Sequence, residues 1–268
     1  MATPPLQTAL MRSVKDVAIF SGIFALLILG MLWVLDQQNY DWQWHRLWRY
    51  IYIEHEGQYY SGPLLRGLLT TLEISAYAIV ISAVGGFVVA MMRASKLITA
   101  RAIAKIYIEV VRNIPILVLL FLIYFVLAPV FGLNRFWAGV ATLAIYEAAF
   151  AAEIYRSGIE AVPRGQKEAA KSIGMRPLQV MAYVTIPQSI PFILPAMTNL
   201  MINLVKHSAI VSVIAIFDLT NEGRNVIAET FMVFEVWFAV AGIYLVVTTI
   251  LSILASIIET RTKRFYAR

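Results

Sequence analysis

Cysteine is missing altogether from the 268 residues, which excludes a disulfide framework, a thiolate metal or redox site and a cysteine nucleophile. Charge is scarce too. Asp, Glu, Lys and Arg make up 14% of the chain against 60% apolar residues, a balance foreign to an ordinary soluble domain. There is no His-Glu-x-x-His, no Gly-x-Ser-x-Gly, no paired-aspartate membrane motif, and no Walker-type loop to cradle a phosphate. The chain therefore reads as a polytopic membrane protein with no catalytic residues, no metal site and no ATP site of its own.

What is present is a succession of apolar runs. Val17 to Leu35 is uncharged and, at about 1.5 Å per residue, long enough for a hydrocarbon core of about 30 Å. It is too long for the apolar part of a signal peptide and has no small-residue cleavage site before Asp36, so it reads as a retained first span. Further spans are expected at Leu68 to Met92, Tyr107 to Val130, Phe136 to about Tyr155, Ile190 to Phe217 and Val236 to Ile258. In the second, Ala78, Ser82, Gly86 and Ala90 recur every four residues, a face of small side chains on which another helix can pack closely. Residues 36 to 66 differ: Tyr40, Trp42, Trp44, Trp48, Tyr50, Tyr52, Tyr59 and Tyr60 interleave with charges of both signs. Such aromatics favour the headgroup level, so part of this segment is expected along the membrane surface. An aromatic-basic nucleic-acid patch is the alternative, but Asp41, Glu54 and Glu56 interrupt the positive field.

The 22 Lys and Arg residues fix the orientation. Six spans with both termini in the cytoplasm put fifteen of them inside, five outside (Arg46, Arg49, Arg66, Arg135 and Arg224) and two, Arg112 and Lys206, within spans. Asp218, Glu222, Arg224 and Glu229 then form an outer loop.

An island of charge runs from Lys167 to Ser189, two short helical patterns separated by Gly174 and Pro177. Gly174 suits a left-handed cap after the first pattern and Pro177 the first turn of the second. Glu168-Ala169-Ala170, then Gly174, then Val184-Thr185-Ile186-Pro187 resemble the EAA loop of ABC importer permeases. Gly67 with Thr70-Thr71-Leu72, Tyr107-Ile108-Glu109, and Arg112-Asn113-Ile114-Pro115 with Leu117, Leu120 and Tyr124 resemble the polar amino-acid branch of that family, over about residues 62 to 262. The resemblance implies an all-helical type I importer fold with a cytoplasmic coupling helix in which Glu168, Ala169, Ala170, Gly174 and Pro187 dock on an ATPase. It implies residues 67–262 as the permease domain, 1–66 as an added helix with an aromatic periplasmic segment, and 263–268 as a cytoplasmic basic tail. It also implies a multi-pass subunit of the bacterial inner membrane without its own ATPase site. Its partners would be two ATP-binding subunits that hold ATP and Mg, a second permease (identical or related) and a periplasmic solute-binding protein. An ion-coupled secondary transporter or channel subunit is the alternative, and it leaves the EAA loop without a task.

Some residues stand apart for chemistry. Glu147 falls roughly 16 Å into the fourth span, where a carboxylate is expensive unless it has a task. Asn199, Asn203 and His207 recur every four residues on one face of the fifth span, bordered by Lys206. An amino acid's ammonium calls for a carboxylate such as Glu147, and its carboxylate for a cation such as Lys206 or His207. Alternatively Glu147 and Lys206 neutralise each other for structure. Arg112 is expected to snorkel or to pair with Glu109, three residues earlier, and Glu153 to pair with Arg156. Acidic, neutral polar and basic amino acids all remain open as cargo.

Overall fold

The computed structural model describes residues 6–37, 40–55 and 57–266; Glu56 and Arg268 of the readings above lie outside them. The chain divides into two compact units, Met1–Gln43 and Trp44–Arg268. The first holds one helix, Leu6–Gln37, whose apolar stretch Val17–Gly30 leaves its side chains exposed, with Phe20 stacked on Phe24.

The second unit takes in the aromatic segment from Trp44 onward, Tyr40 and Trp42 belonging to the first. Trp44–Ile51 is a short helix, and Tyr52–His55 pairs antiparallel with Gln58–Ser61 in a hairpin turned at Gly57, whose φ is +75°. Leu47, Tyr50 and Ile51 pack on a core of Leu64, Leu219, Val226, Met232, Val236 and Val240, which ties this segment to the first turns of Pro63–Ala94 and Val233–Tyr266. Pro63 then opens the helix Pro63–Ala94 at a position where a missing N–H does no harm.

Among the described residues four helices are long and apolar enough to cross a membrane: Pro63–Ala94, Arg135–Glu160, Pro177–Ile214 and Val233–Thr262. A fifth crossing is made if Ile98–Asn113 and Ile116–Phe131 count as one broken span. The sequence predicts one straight span there; instead the axis turns by 109°. Pro115 explains the break, because it disfavours helical backbone at Ile114, which is extended with φ −92° and ψ 130°. The fifth span also differs, starting at Pro177 rather than near Ile190. The segment expected as an outer loop is ordered as the helix Leu219–Thr230, capped by Asp218, whose side chain accepts the backbone N–H of Thr220 and Asn221.

Arg135–Glu160 is the central element, 61% of its apolar window being buried against 6% for Val233–Thr262. Its closest neighbour is Pro63–Ala94. Ala78, Ser82, Gly86 and Ala90 are all buried along one face of that helix, and a Cβ built on Gly86 would lie 2.5 Å from the Ala151 Cβ and 2.9 Å from the Ala148 carbonyl oxygen. Small residues here let two backbones meet, which is how helices associate where no hydrophobic effect drives them together. Two π-turns, Leu122–Leu127 and Val180–Thr185, each end two residues before a proline, Pro129 and Pro187. A proline cannot close the ordinary four-residue ring, and the helix widens by one residue instead.

Candidate functional site

The turn between the fourth and fifth spans is built by local chemistry. The helix Arg164–Ser172 stops at Gly174, whose φ is +85°. Gly174 N–H donates to the Lys171 carbonyl at 2.9 Å and Met175 N–H to the Ala170 carbonyl at 3.2 Å, the two bonds of a Schellman cap. Pro177 opens the next helix at its first position, as its sequence context suggests. Ala170 is buried, whereas Glu168 and Ala169 face outward. The i, i+3 pair between Glu168 and Lys171 is not formed. Lys167 Nζ donates to the Ile159 carbonyl at 3.0 Å, and Gln188 bonds Gln166 at 3.3 Å, so the turn is strapped to both flanking helices. Ile173, Leu178 and Tyr183 stand 80%, 83% and 73% exposed on this otherwise polar turn, a surface suited to another protein.

A cavity of about 650 Å³ opens between Arg135–Glu160 and Ile186–His207. The first helix contributes Tyr146, Glu147, Phe150 and Glu153 on one face; the second contributes Asn199, Asn203 and His207 at the four-residue spacing read from the sequence. Arg112 reaches in from the last turn before the 109° break. Glu147 is buried, and its Oε1 lies 2.7 Å from His207 Nδ1, while the His207 side chain keeps 46% of its surface exposed. The Tyr146 ring meets the imidazole edge-on at 6.3 Å. The Arg112 guanidinium sits over the Phe150 ring, 5.2 Å from its centre, rather than beside Glu109. Glu153 is held by Arg156 Nε at 2.9 Å, the expected i, i+3 pair, and in addition by Arg93 from the end of Pro63–Ala94.

Four of the five residues expected on the pathway thus surround one cavity. Lys206 does not line it; its side chain is exposed, and His207, one residue on, is the partner of Glu147. Arg112 and Glu153, which the sequence assigns structural roles, also line the cavity, as does Phe150, which no sequence pattern singles out. Among the described residues no three His, Asp or Glu side chains gather as metal ligands would.

Away from the cavity lining, Asp218 is fully buried. Burial pushes its carboxyl up from 3.8 to about 6, against the opposing pull of the Asn221 and Thr220 N–H groups that it caps.

Residues 82–264 match the family of binding-protein-dependent transport system inner membrane components. The chain is 40% identical over 202 residues to a probable glutamine ABC transporter permease protein, GlnM, of Bacillus subtilis, covering 75% of this chain and 93% of the relative. It is 34% identical to the arginine transport system permease protein ArtQ of the same organism, with 75% and 92% covered. Among solved structures it is similar to an amino acid ABC transporter crystallised with histidines: 43% identity, TM-score 0.70, 74% of this chain and 94% of the other covered. An inward-facing MetNI methionine ABC transporter shares the fold at 22% identity and TM-score 0.64.

Proposed function

The chain belongs to the binding-protein-dependent transport system inner membrane components, and from that premise we propose that it imports an amino acid by alternating access, coupled to ATP hydrolysis through the turn at Glu168–Gly174. It is a multi-pass inner-membrane permease subunit of an amino-acid ABC transporter and leaves ATP hydrolysis to separate subunits. Two such ATPases inside, a second permease, the same or homologous, and a periplasmic solute-binding protein outside complete the assembly. ATP and Mg stay with the ATPases.

The observation that carries this reading is the continuity of one helix. Pro177–Ile214 begins at the exposed turn and runs without a break past Asn199, Asn203 and His207. A push on Ile173, Leu178 and the exposed Glu168 is therefore transmitted along a single rod to one wall of the cavity. The facing wall, Arg135–Glu160, is the helix most deeply fixed in the fold and supplies Glu147. ATP-driven closure of the ATPases would move the first wall against the second, closing the cavity on one side and opening it on the other.

The test is uptake in proteoliposomes containing the permease, its ATPase and its binding protein, for wild type and Glu147→Gln. ATP-dependent uptake that falls sharply in the variant, while the complex still assembles and hydrolyses ATP, supports the reading. Uptake driven by an ion gradient without ATP would overturn it.

A further inference from the structure

The charges around the cavity are unevenly committed. Glu147 is engaged by His207 and Glu153 by both Arg93 and Arg156. Among the described residues, Arg112 is the one charged side chain lining the cavity that no opposite charge meets; its guanidinium has only the face of Phe150. The geometry points to Arg112 as the anchor for the substrate's α-carboxylate and to a cargo of neutral or acidic amino acids, not basic ones. This rests on the reading of the cavity as the transport pathway.

A guanidinium presents paired N–H donors that match the two oxygens of a carboxylate, and stacking on Phe150 fixes the plane of the fork without using those donors. A cationic side chain entering the same space has no carboxylate to meet. To gain one it must displace His207 from Glu147 or compete with two arginines for Glu153, and until then it stays close to the Arg112 charge. A neutral polar side chain meets no such penalty. The amides of Asn199 and Asn203 each offer a donor and an acceptor on the opposite wall, and the substrate's ammonium can be received by their oxygens. Lys206 does not change this balance, because it is exposed and does not line the cavity.

The test measures binding to the purified permease–ATPase complex without its solute-binding protein, so that selection upstream does not enter. The probes are radiolabelled glutamine, glutamate, arginine and lysine, with 4-aminobutanamide, which is glutamine lacking its α-carboxylate. In wild type, glutamine or glutamate should bind at least tenfold more tightly than arginine and lysine, and 4-aminobutanamide roughly ten- to a hundredfold more weakly than glutamine. In Arg112→Gln the gap between glutamine and 4-aminobutanamide should close, and in Arg112→Lys it should persist in part. If the Gln variant fails to assemble, the Lys variant carries the comparison, because a point charge keeps attraction but loses the two-point fit. Arginine or lysine binding as tightly as glutamine, or an unchanged gap in the variants, would overturn the inference and leave the transport function standing. If none of the amino acids binds wild type, the cavity is not the pathway and the underlying reading falls with it.

Discussion

His207 and Glu147, sixty positions apart, meet at 2.7 Å between Nδ1 and Oε1 and join the two walls of the cavity. The carboxylate is buried and the imidazole half exposed, so the pair is asymmetric: losing the imidazole strands a charge inside the fold, whereas losing the charge strands only a hydrogen-bonding ring near water. His207→Ala should therefore destabilise the protein more than Glu147→Gln does. A double-mutant cycle by thermal unfolding in detergent should give a coupling of about 1 to 3 kcal/mol. Additive effects would mean that the contact adds nothing to the joining of the two helices.

Reversing the charge at the exposed turn should act on coupling alone. Glu168 makes no ion pair among the described residues and faces outward, so Glu168→Lys removes no internal contact. Membrane insertion and thermal stability should stay within about 0.5 kcal/mol of wild type, as for other surface substitutions. ATP-driven uptake should fall at least tenfold. Normal uptake at unchanged ATPase rate would remove Glu168 from the docking surface.

The contact of Pro63–Ala94 with Arg135–Glu160 provides a paired comparison on adjacent residues. A methyl at Gly86 would overlap Ala151 at 2.5 Å, whereas one at Gly85 would touch the Ala148 Cβ at an ordinary 3.5 Å. Gly86→Ala should cost about 1 to 3 kcal/mol through overpacking, and Gly85→Ala should be neutral or slightly stabilising. Equal unfolding temperatures for the two variants would show that the helices are not held at this distance.

Asp218 gives the stability of the fold a pH dependence of defined sign. Its folded-state pKa is raised from 3.8 to about 6, so the folded protein binds this proton more tightly than the unfolded chain. Its contribution to stability is full below about pH 4, declines as pH rises, and is gone above about pH 6. Asp218→Asn keeps a capping side chain and should flatten the unfolding temperature between those values. A slope that persists in the variant would assign the effect to other groups.

Much of this was legible in the sequence because it rests on short spacings. The Ala78–Ser82–Gly86–Ala90 stripe, the Gly174 cap, Pro177 at a helix start and the Asn199–Asn203–His207 face all follow from periodicity or local backbone rules, and the structure has each of them. Glu153 with Arg156 was equally local. The features that escaped join distant segments. The sequence offers Lys206 as the partner of Glu147, but His207, one residue on, is the one that meets it; which of two neighbouring helical residues faces inward depends on a rotation of about 100° that no local pattern fixes. Arg112 was expected to snorkel or to pair with Glu109, but the Phe150 ring that it meets comes from a distant helix. The broken span was missed despite Pro115, because apolar composition on both sides hides a change of direction.

The π-turn Val180–Thr185 has a consequence for register. It inserts one residue into the helical repeat ahead of Pro187, so everything downstream is wound about 100° less than an unbroken α-helix of the same length would place it. Asn199, Asn203 and His207 face Glu147 only with that extra residue counted in. A relative lacking a single residue in this stretch would present the same letters at an aligned position yet aim a different side of the helix at the cavity. Across such a gap, identity of sequence and identity of pocket come apart, and the proline spacing is the mark by which to tell which winding a given chain has adopted.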